Sequence, residues 1–244
     1  PLDVRLESGA LRLRPDGPTL GLGSSAPVTV ALLAALGRVA SVEPGLAEAL
    51  ELHRRLQGGR GSGVDVGASH EGGLLRYALA RDGAASIERL AWPEGLHLGV
   101  VFTGHAVKTT DFLDRLAEAR ASRPDRVQAC LEDLCEGAGE AAASFQQTNV
   151  ERVLEAVDRY RERLDELGRT IGAEILSRPH RTLATLARDS GAVYKPSGAG
   201  GGDVGVILAD SQRNLEGALD IARRGGFKPI SATVDLQGVL VVET

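Results

Sequence analysis

Residues 21–39 read GLGSSAPVTVALLAALGRV, in which two glycines and two serines run straight into an apolar stretch of helical length. Gly23, Ser24 and Ser25 stand just ahead of Ala26–Val39. A small hydroxyl residue is what a helix N-cap takes, so the spacing predicts a helix that starts in a glycine-rich loop. Glycines let successive backbone N–H groups turn outward, and the following helix points its positive end the same way; together they suit an anion. The serine hydroxyls can reach a phosphate oxygen or a metal. The plain alternative is a capped helix start that binds nothing. No Lys follows the last glycine, so the loop is not of the Walker type.

Two further glycine-rich loops lie downstream. Gly61-Ser62-Gly63-Val64-Asp65 is followed by Ala68-Ser69 and Gly72-Gly73. A lone carboxylate in such a turn can come close to a reacting hydroxyl or a metal; the alternative is an Asx-turn, in which Asp65 bonds only its own backbone. The third loop runs from Lys195 through Pro196, Ser197, Gly198, Ala199, Gly200, Gly201 and Gly202 to Asp203. A flexible linker is the bland reading. Against it, an apolar strand, Val204–Ala209, begins at once, and Lys195 and Asp203 bracket the run.

Outward from these loops, Val4, Leu6, Leu11 and Leu13 alternate with polar residues ahead of the Pro15–Pro18 break, as strands do. A second helix is predicted over Leu46–Leu56, and strands over Leu74–Leu79, Ile87–Trp92 and Leu96–Phe102. After Gly104 the apolar spacing turns helical over 109–120, 125–146, 150–176 and 180–189. One more helix, Asn214–Arg224, and a hairpin of Pro229–Val234 with Val239–Val242 close the chain. Strands and helices segregate, so the class is α+β in two domains, 1–103 and 104–244. Lys108, followed by Thr109 and Thr110, stands at a helix start after a strand. A cation with hydroxyls there suits a phosphorylated acceptor, and the alternative is a solvated lysine.

Composition narrows the classes. The chain has 244 residues with 43% hydrophobic and 25% charged, a globular balance that excludes disorder. Net charge is −5 and no basic cluster forms, which argues against a nucleic-acid partner. No apolar run approaches the roughly 18 residues of a membrane span, and no export signal opens the chain. Cys130 and Cys135 fit neither a disulfide framework nor a zinc site and would point about 140° apart on a helix. They are expected to be buried thiols in a reducing, cytoplasmic compartment. His53, His70, His97, His105 and His180 show no metal spacing and are expected to be structural or exposed; Trp92 beside Pro93 is expected to pack at an edge. Glycine is high, at 31 residues, so something uses it in quantity. Met is absent and Pro1 is first. Segments of the whole polypeptide are therefore expected to be missing from this chain.

The order GLGSSA before a helix, GSGVD, then KPSGAGGGD resembles the GHMP kinase superfamily; each motif alone is weak, and the three in this order are a strong signal. His53 and Gln57-Gly58-Gly59 ahead of Gly61–Val66, with Lys195-Pro196-Ser197 and Asp203 around the third loop, resemble its phosphomevalonate kinase branch. The resemblance covers the chain from about Leu20 onward. It implies an N-terminal ATP-binding domain like ribosomal protein S5 domain 2, lacking its first strands here, and a ferredoxin-like C-terminal domain. The implied activity is ATP- and Mg2+-dependent conversion of mevalonate 5-phosphate to mevalonate 5-diphosphate, a step of isoprenoid biosynthesis. Gly21, Leu22, Gly23, Ser24, Ser25 and Ala26 would wrap the ATP phosphates, joined by Gly198, Ala199, Gly200 and Gly201, with Ser25 as metal ligand. Asp65 and Lys108 would be catalytic. Ser62, Gly63, Lys108, Thr109, Lys195 and Ser197 would bind the acceptor.

This sequence also departs from the family. The opening segment with its Lys and G-E-x-x-V-L pattern is absent. Where mevalonate kinases carry a magnesium-binding Glu, this chain has Arg54 and its neighbour Arg55, leaving Glu51 and Glu48 as the acidic alternatives. Another GHMP kinase acting on a hydroxyl, such as a mevalonate or sugar kinase, and a non-catalytic ligand-binding relative remain open readings.

Overall fold

The structure, a computed structural model, describes residues 5–7, 23–59, 61–80, 82–104, 109–198, 200–202 and 204–242. The chain divides into two compact units, Pro1–Leu90 with Val234–Thr244, and Ala91–Thr233.

In the first unit, α1 (Ser25–Ala40), α2 (Leu46–Leu56) and α3 (Val64–Glu71) precede an antiparallel ribbon of β1 (Leu74–Leu79) and β2 (Ala85–Leu90). Helix α1 ends where Ser41 turns left-handed, at φ 54°, and donates its N–H to the Arg38 carbonyl. Helix α2 begins with the Gly45 N–H donating to Glu48 Oε2 at 3.0 Å, so Glu48 serves the helix start. Ala26 and Val30 of α1, Ala49 of α2 and Val66 of α3 bury together, with Leu33, Leu46, Leu50 and Val239 packed around them. One face of each helix is thereby fixed in a single cluster.

The second unit contains β3 (His97–Phe102), α4 (Thr109–Ser122), α5 (Pro124–Gln146), α6 (Val150–Ile171), α7 (Arg178–Asp189), β4 (Val193–Pro196), β5 (Val204–Ala209), α8 (Gln212–Arg224) and β6 (Lys228–Ile230). Its sheet has the order β4-β5-β3-β6, with every neighbour antiparallel. Strand β5 alternates as a strand buried on both faces must. Ile207 and Ala209 pack with Leu183 and Ala187 of α7 and Leu215, Ala218 and Ala222 of α8, while Leu208 packs with Val153 and Val157 of α6. A separate cluster of Val127, Leu134, Leu167 and Ile171 holds α5 against α6. Asn149 caps α6 by accepting the Arg152 N–H at 3.0 Å, and Gly172, at φ 67°, ends it.

Several expectations are corrected. The 150–176 helix stops at Ile171, because Gly172 adopts the left-handed conformation that closes helices. The glycine-rich turn at Asp65 is the first turn of α3. Strand β3, placed at the end of the first domain by the 103/104 cut, pairs with β5 and β6 of the second unit. The C-terminal hairpin does not form beyond β6. Instead, Gly73 N–H donates to the Asp235 carbonyl at 2.6 Å and Val239 N–H to the His70 carbonyl at 3.3 Å, tying 234–242 to the first unit. Gly72 and Gly238 permit that crossing, since a Cβ on Gly72 would lie 2.9 Å from the Gln237 carbonyl carbon. Cys130 is half-buried and Cys135 exposed, so neither is the buried thiol expected. The strands expected over Val4–Leu13, apart from residues 5–7, lie outside the described residues. Among the described residues, no helix is long and apolar enough to cross a membrane.

Candidate functional site

Helix α1 opens without a side-chain cap. Ser24 occupies the N-cap position in a helical conformation and its hydroxyl makes no cap hydrogen bond, contrary to the expectation for that serine. No acidic residue lies in the first turn, and Pro27 there lacks an N–H. The positive end of the helix is thus unneutralised by its own residues, the condition under which an external anion binds. Gly23 enters the helix at φ 70°, with nothing among the described residues within 4 Å of where its Cβ would be. Conformation rather than crowding requires glycine there. Ala26 is buried, and Ser25, beside it, is exposed.

Sequence reasoning read His53 as structural or exposed and used it with Gln57 only as part of a family signature, yet both reach Ser25. His53 is buried, and its Nε2 lies 3.2 Å from Ser25 Oγ. The Gln57 amide donates to the same hydroxyl at 3.4 Å. The residues of α2 considered as acidic metal ligands are engaged elsewhere: Glu48 caps the helix start, and Glu51 pairs with Arg55 at 2.7 Å and Arg54 at 3.8 Å. Among the described residues, no group of three or more His, Cys, Asp and Glu could hold a metal. A cation at Ser25 would therefore take one hydroxyl and bring its other ligands with it. That fits Mg2+, which commonly binds one or two protein oxygens beside phosphates and water.

Asp65 sits in the first turn of α3, half-buried, with Oδ1 accepting the Val66 N–H at 3.0 Å. It faces the positive end of its helix. The turn before it is clamped, because the Tyr77 hydroxyl donates to the Ser62 carbonyl at 2.6 Å. Gly63 takes φ 77°, and a Cβ there would run into the Leu50 side chain and stand 3.2 Å from the Tyr77 hydroxyl. Tyr77 has its pKa raised by burial, with Arg54 pulling it down and Asp65 pushing it up. Both charges therefore lie within electrostatic reach of that hydroxyl. Ala26, next to Ser25, and Val66, next to Asp65, share one core cluster, so the starts of α1 and α3 are held by common packing.

In the second unit the third loop is the connection of the β4–β5 hairpin, closed by the Ser197 N–H donating to the Val204 carbonyl at 3.0 Å. Gly198, Gly200 and Gly201 all take positive φ. Gly201 N–H donates to the Ile175 carbonyl at 2.6 Å, and a Cβ on Gly200 would lie 2.8 Å from Ile175 Cγ2. Lys195 points its Nζ at the Pro196 carbonyl, 2.8 Å away, and stands 5.6 Å over the Tyr160 ring. Desolvation lowers its pKa to about 8.

Of the residues named from sequence, Gly23, Ser24, Ser25, Ala26, Ser62, Gly63 and Asp65 lie in the first unit, and Lys195, Ser197, Gly198, Gly200 and Gly201 in the second. Thr109 is the first residue of α4. Gly21, Leu22, Lys108 and Ala199 lie outside the described residues.

No family model matches the chain. It is 29% identical to the phosphomevalonate kinase of Streptomyces sp. (strain CL190) over 253 residues, covering 93% of this chain and 68% of that protein. It is 28% identical to the mevalonate kinase of Pyrococcus horikoshii, covering 91% of this chain and 65% of that protein. The structure of Streptococcus pneumoniae phosphomevalonate kinase in complex with phosphomevalonate and AMPPNP superposes with a TM-score of 0.76 at 21% identity, covering 88% of this chain and 69% of that one. The chain thus spans about two thirds of the length of these relatives.

Proposed function

The chain belongs to the GHMP kinase superfamily, and from that premise we propose that it transfers the terminal phosphoryl group of ATP to mevalonate 5-phosphate, giving mevalonate 5-diphosphate and ADP. The uncapped, acid-free start of α1 carries this reading, because it leaves the positive end of the helix without an acidic partner beside the exposed Ser25 hydroxyl. A nucleotide triphosphate supplies the missing negative charge.

Phosphoryl transfer asks the protein mainly for positioning and charge neutralisation. Gly23–Ala26, with Gly21 and Leu22 before them, hold the triphosphate. Ser25 Oγ would hold Mg2+, which would supply positive charge against the phosphates. A bond forms between the terminal phosphorus and an oxygen of the acceptor phosphate, the bond to the bridging oxygen breaks, and its electron pair leaves with ADP. A phosphate monoester has its second pKa near ~6, so at pH 7 the acceptor is mostly dianion and already nucleophilic. Asp65 then positions rather than deprotonates. In the first unit Ser62 and Gly63 serve the acceptor; the acceptor roles of Lys108, Thr109, Lys195 and Ser197, and the nucleotide roles of Gly198, Ala199, Gly200 and Gly201, rest on the family resemblance alone.

We read the β4-β5-β3-β6 sheet with its crossover helices as the ferredoxin-like half of the family fold. The mevalonate kinases, at 28–29% identity, favour a hydroxyl acceptor as the second reading. An ATP-coupled assay across mevalonate 5-phosphate, mevalonate, homoserine and galactose tests the proposal. Turnover confined to mevalonate 5-phosphate supports it, and turnover of only a non-phosphorylated acceptor overturns the substrate assignment.

A further inference from the structure

Ser25, His53 and Gln57 close a triangle of polar atoms. His53 Nε2 lies 3.2 Å from Ser25 Oγ, Gln57 Nε2 3.4 Å from Ser25 Oγ, and Gln57 Nε2 3.2 Å from His53 Nε2. The proton positions follow from donor inventory. An amide nitrogen only donates. One of its hydrogens goes to Ser25 Oγ, and an N–H on His53 Nε2 would point at a second donor 3.2 Å away, so Nε2 carries no proton, Nδ1 does, and the one lone pair of Nε2 stays for the serine. The acceptor within reach of the Ser25 O–H is then that same Nε2. With its proton turned inward and one lone pair engaged by Gln57, the serine oxygen keeps one lone pair. Ser25 and Gln57 are exposed while His53 is 5% exposed, so the triangle has a buried base and an open rim.

We propose that His53 and Gln57 are positioning residues that fix the proton of the Ser25 hydroxyl inward, so that a divalent cation arriving with the nucleotide meets a lone pair instead of a proton. The inference rests on the reading of Ser25 as the hydroxyl that holds the cation. A cation draws charge from a coordinated hydroxyl and makes its O–H a stronger donor, and the neutral imidazole behind it accepts that stronger bond. Partners of this kind behind a metal ligand typically matter by about 10–100-fold in metal affinity or activity. Neither side chain needs to touch the transferred group.

Two measurements test it on the whole chain. The first is the tautomer of His53, read from long-range 1H–15N correlation of the 15N-histidine protein, with the His53→Gln spectrum assigning the signal. A proton on Nδ1 and none on Nε2 is expected; a neutral ring protonated on Nε2 overturns the proposal. The second is Mn2+ affinity by EPR in the presence of a non-hydrolysable ATP analogue, for wild type, Ser25→Ala, Gln57→Leu and the double variant. Ser25→Ala and Gln57→Leu should each weaken Mn2+ by about tenfold or more, and the double variant no more than Ser25→Ala alone. In turnover, Gln57→Leu should raise the Mg2+ requirement while leaving the acceptor KM unchanged. His53→Gln, which keeps an acceptor near the Nε2 position, should retain Mn2+ affinity that His53→Leu loses. If Ser25→Ala leaves Mn2+ affinity unchanged, the reading of Ser25 itself fails. If Ser25→Ala weakens Mn2+ but Gln57→Leu does not, or the two effects add, only the positioning inference fails. Because Gln57 is exposed, its variants and the tautomer measurement decide the matter even if His53→Leu does not fold.

Discussion

The Tyr194 hydroxyl lies 2.7 Å from His180 Nδ1, in the interior of the second unit, where both residues are at most 1% exposed. Burial pushes the tyrosine pKa up, so Tyr194 keeps its proton and donates it to Nδ1. His180 is correspondingly neutral, its pKa lowered to about 4 mainly by desolvation; the Gly202 backbone opposes this without reaching hydrogen-bond geometry at Nε2. Tyr194 also accounts for Gly205 on the neighbouring strand, where a Cβ would collide with the tyrosine ring. The histidine thus sits at the base of the glycine-rich hairpin as an uncharged packing and hydrogen-bonding group.

That pair makes a pH prediction. The folded pKa of His180, about 4, lies below the ordinary histidine value of 6.5, so the unfolded chain binds the extra proton first. Its contribution to stability is whole above pH ~6.5 and is lost progressively as the pH falls toward 4, by roughly 3 kcal/mol in all. Urea denaturation of wild type and His180→Gln between pH 7 and pH 4 checks this. The wild type should lose more stability over that range than the variant; parallel curves would refute the assignment.

Gly23 offers a conformational test. Its φ of 70° with open space around the missing Cβ means that a substitution strains the backbone and clashes with nothing described. A left-handed residue other than glycine costs about 1–2 kcal/mol, and Asn tolerates the region better than others. Gly23→Val should therefore lose nucleotide binding, measured by calorimetry with an ATP analogue, while Gly23→Asn keeps most of it. Equal affinity in both variants would separate the phosphate site from the start of α1.

How far the sequence carried these conclusions depends on where each signal lies. The helix after Gly23 was legible because apolar spacing continues for four turns. Helix α3 was not, because Val64–Glu71 is eight residues with two turn-like neighbours, Gly63 and Gly72, at its ends. Strand β4 escaped notice since its four residues end in Lys195 and Pro196, which read as loop. The alternation in 229–242 is real, but it is answered by backbone bonds to Gly73 and His70 that no local pattern announces. The contact of His53 was illegible for the same reason: its partner, Ser25, is 28 residues away, and a single histidine on a helix carries no spacing.

Lys195 links pH to acceptor binding. Desolvation brings its pKa to about 8, so the ammonium is the main form below pH 8 and is lost as the pH rises through it. If Lys195 holds the acceptor's phosphate, the acceptor KM should rise between pH 7 and pH 9 while the ATP KM changes little. Lys195→Gln should have a high acceptor KM throughout and a flat profile over that range. A wild-type acceptor KM that stays constant to pH 9 would remove Lys195 from the acceptor site and leave it as a packing partner of Tyr160.

Asp65 distinguishes the two acceptor chemistries. A hydroxyl acceptor must lose a proton during transfer, and a positioned base typically contributes about 10²–10⁴-fold. A phosphate dianion has no proton to lose, so a carboxylate beside it acts only by orienting a cation, a water or the acceptor itself. Asp65 is half-buried in the first turn of α3, next to a turn clamped by the Tyr77 hydroxyl, and Asp65→Asn keeps its shape and its hydrogen bond from Val66. With mevalonate 5-phosphate as acceptor, the variant should retain part of its turnover, and raising the pH should not selectively restore the rest. With mevalonate as acceptor, the same change should remove nearly all turnover while ATP binding stays intact. Loss of kcat alone does not separate the cases, because a displaced cation has the same effect. The separating measurement is kcat against pH for wild type and Asp65→Asn with each acceptor offered alone. A wild type that turns over only mevalonate, with an acidic limb that vanishes in Asp65→Asn, makes Asp65 a general base and the chain a hydroxyl kinase.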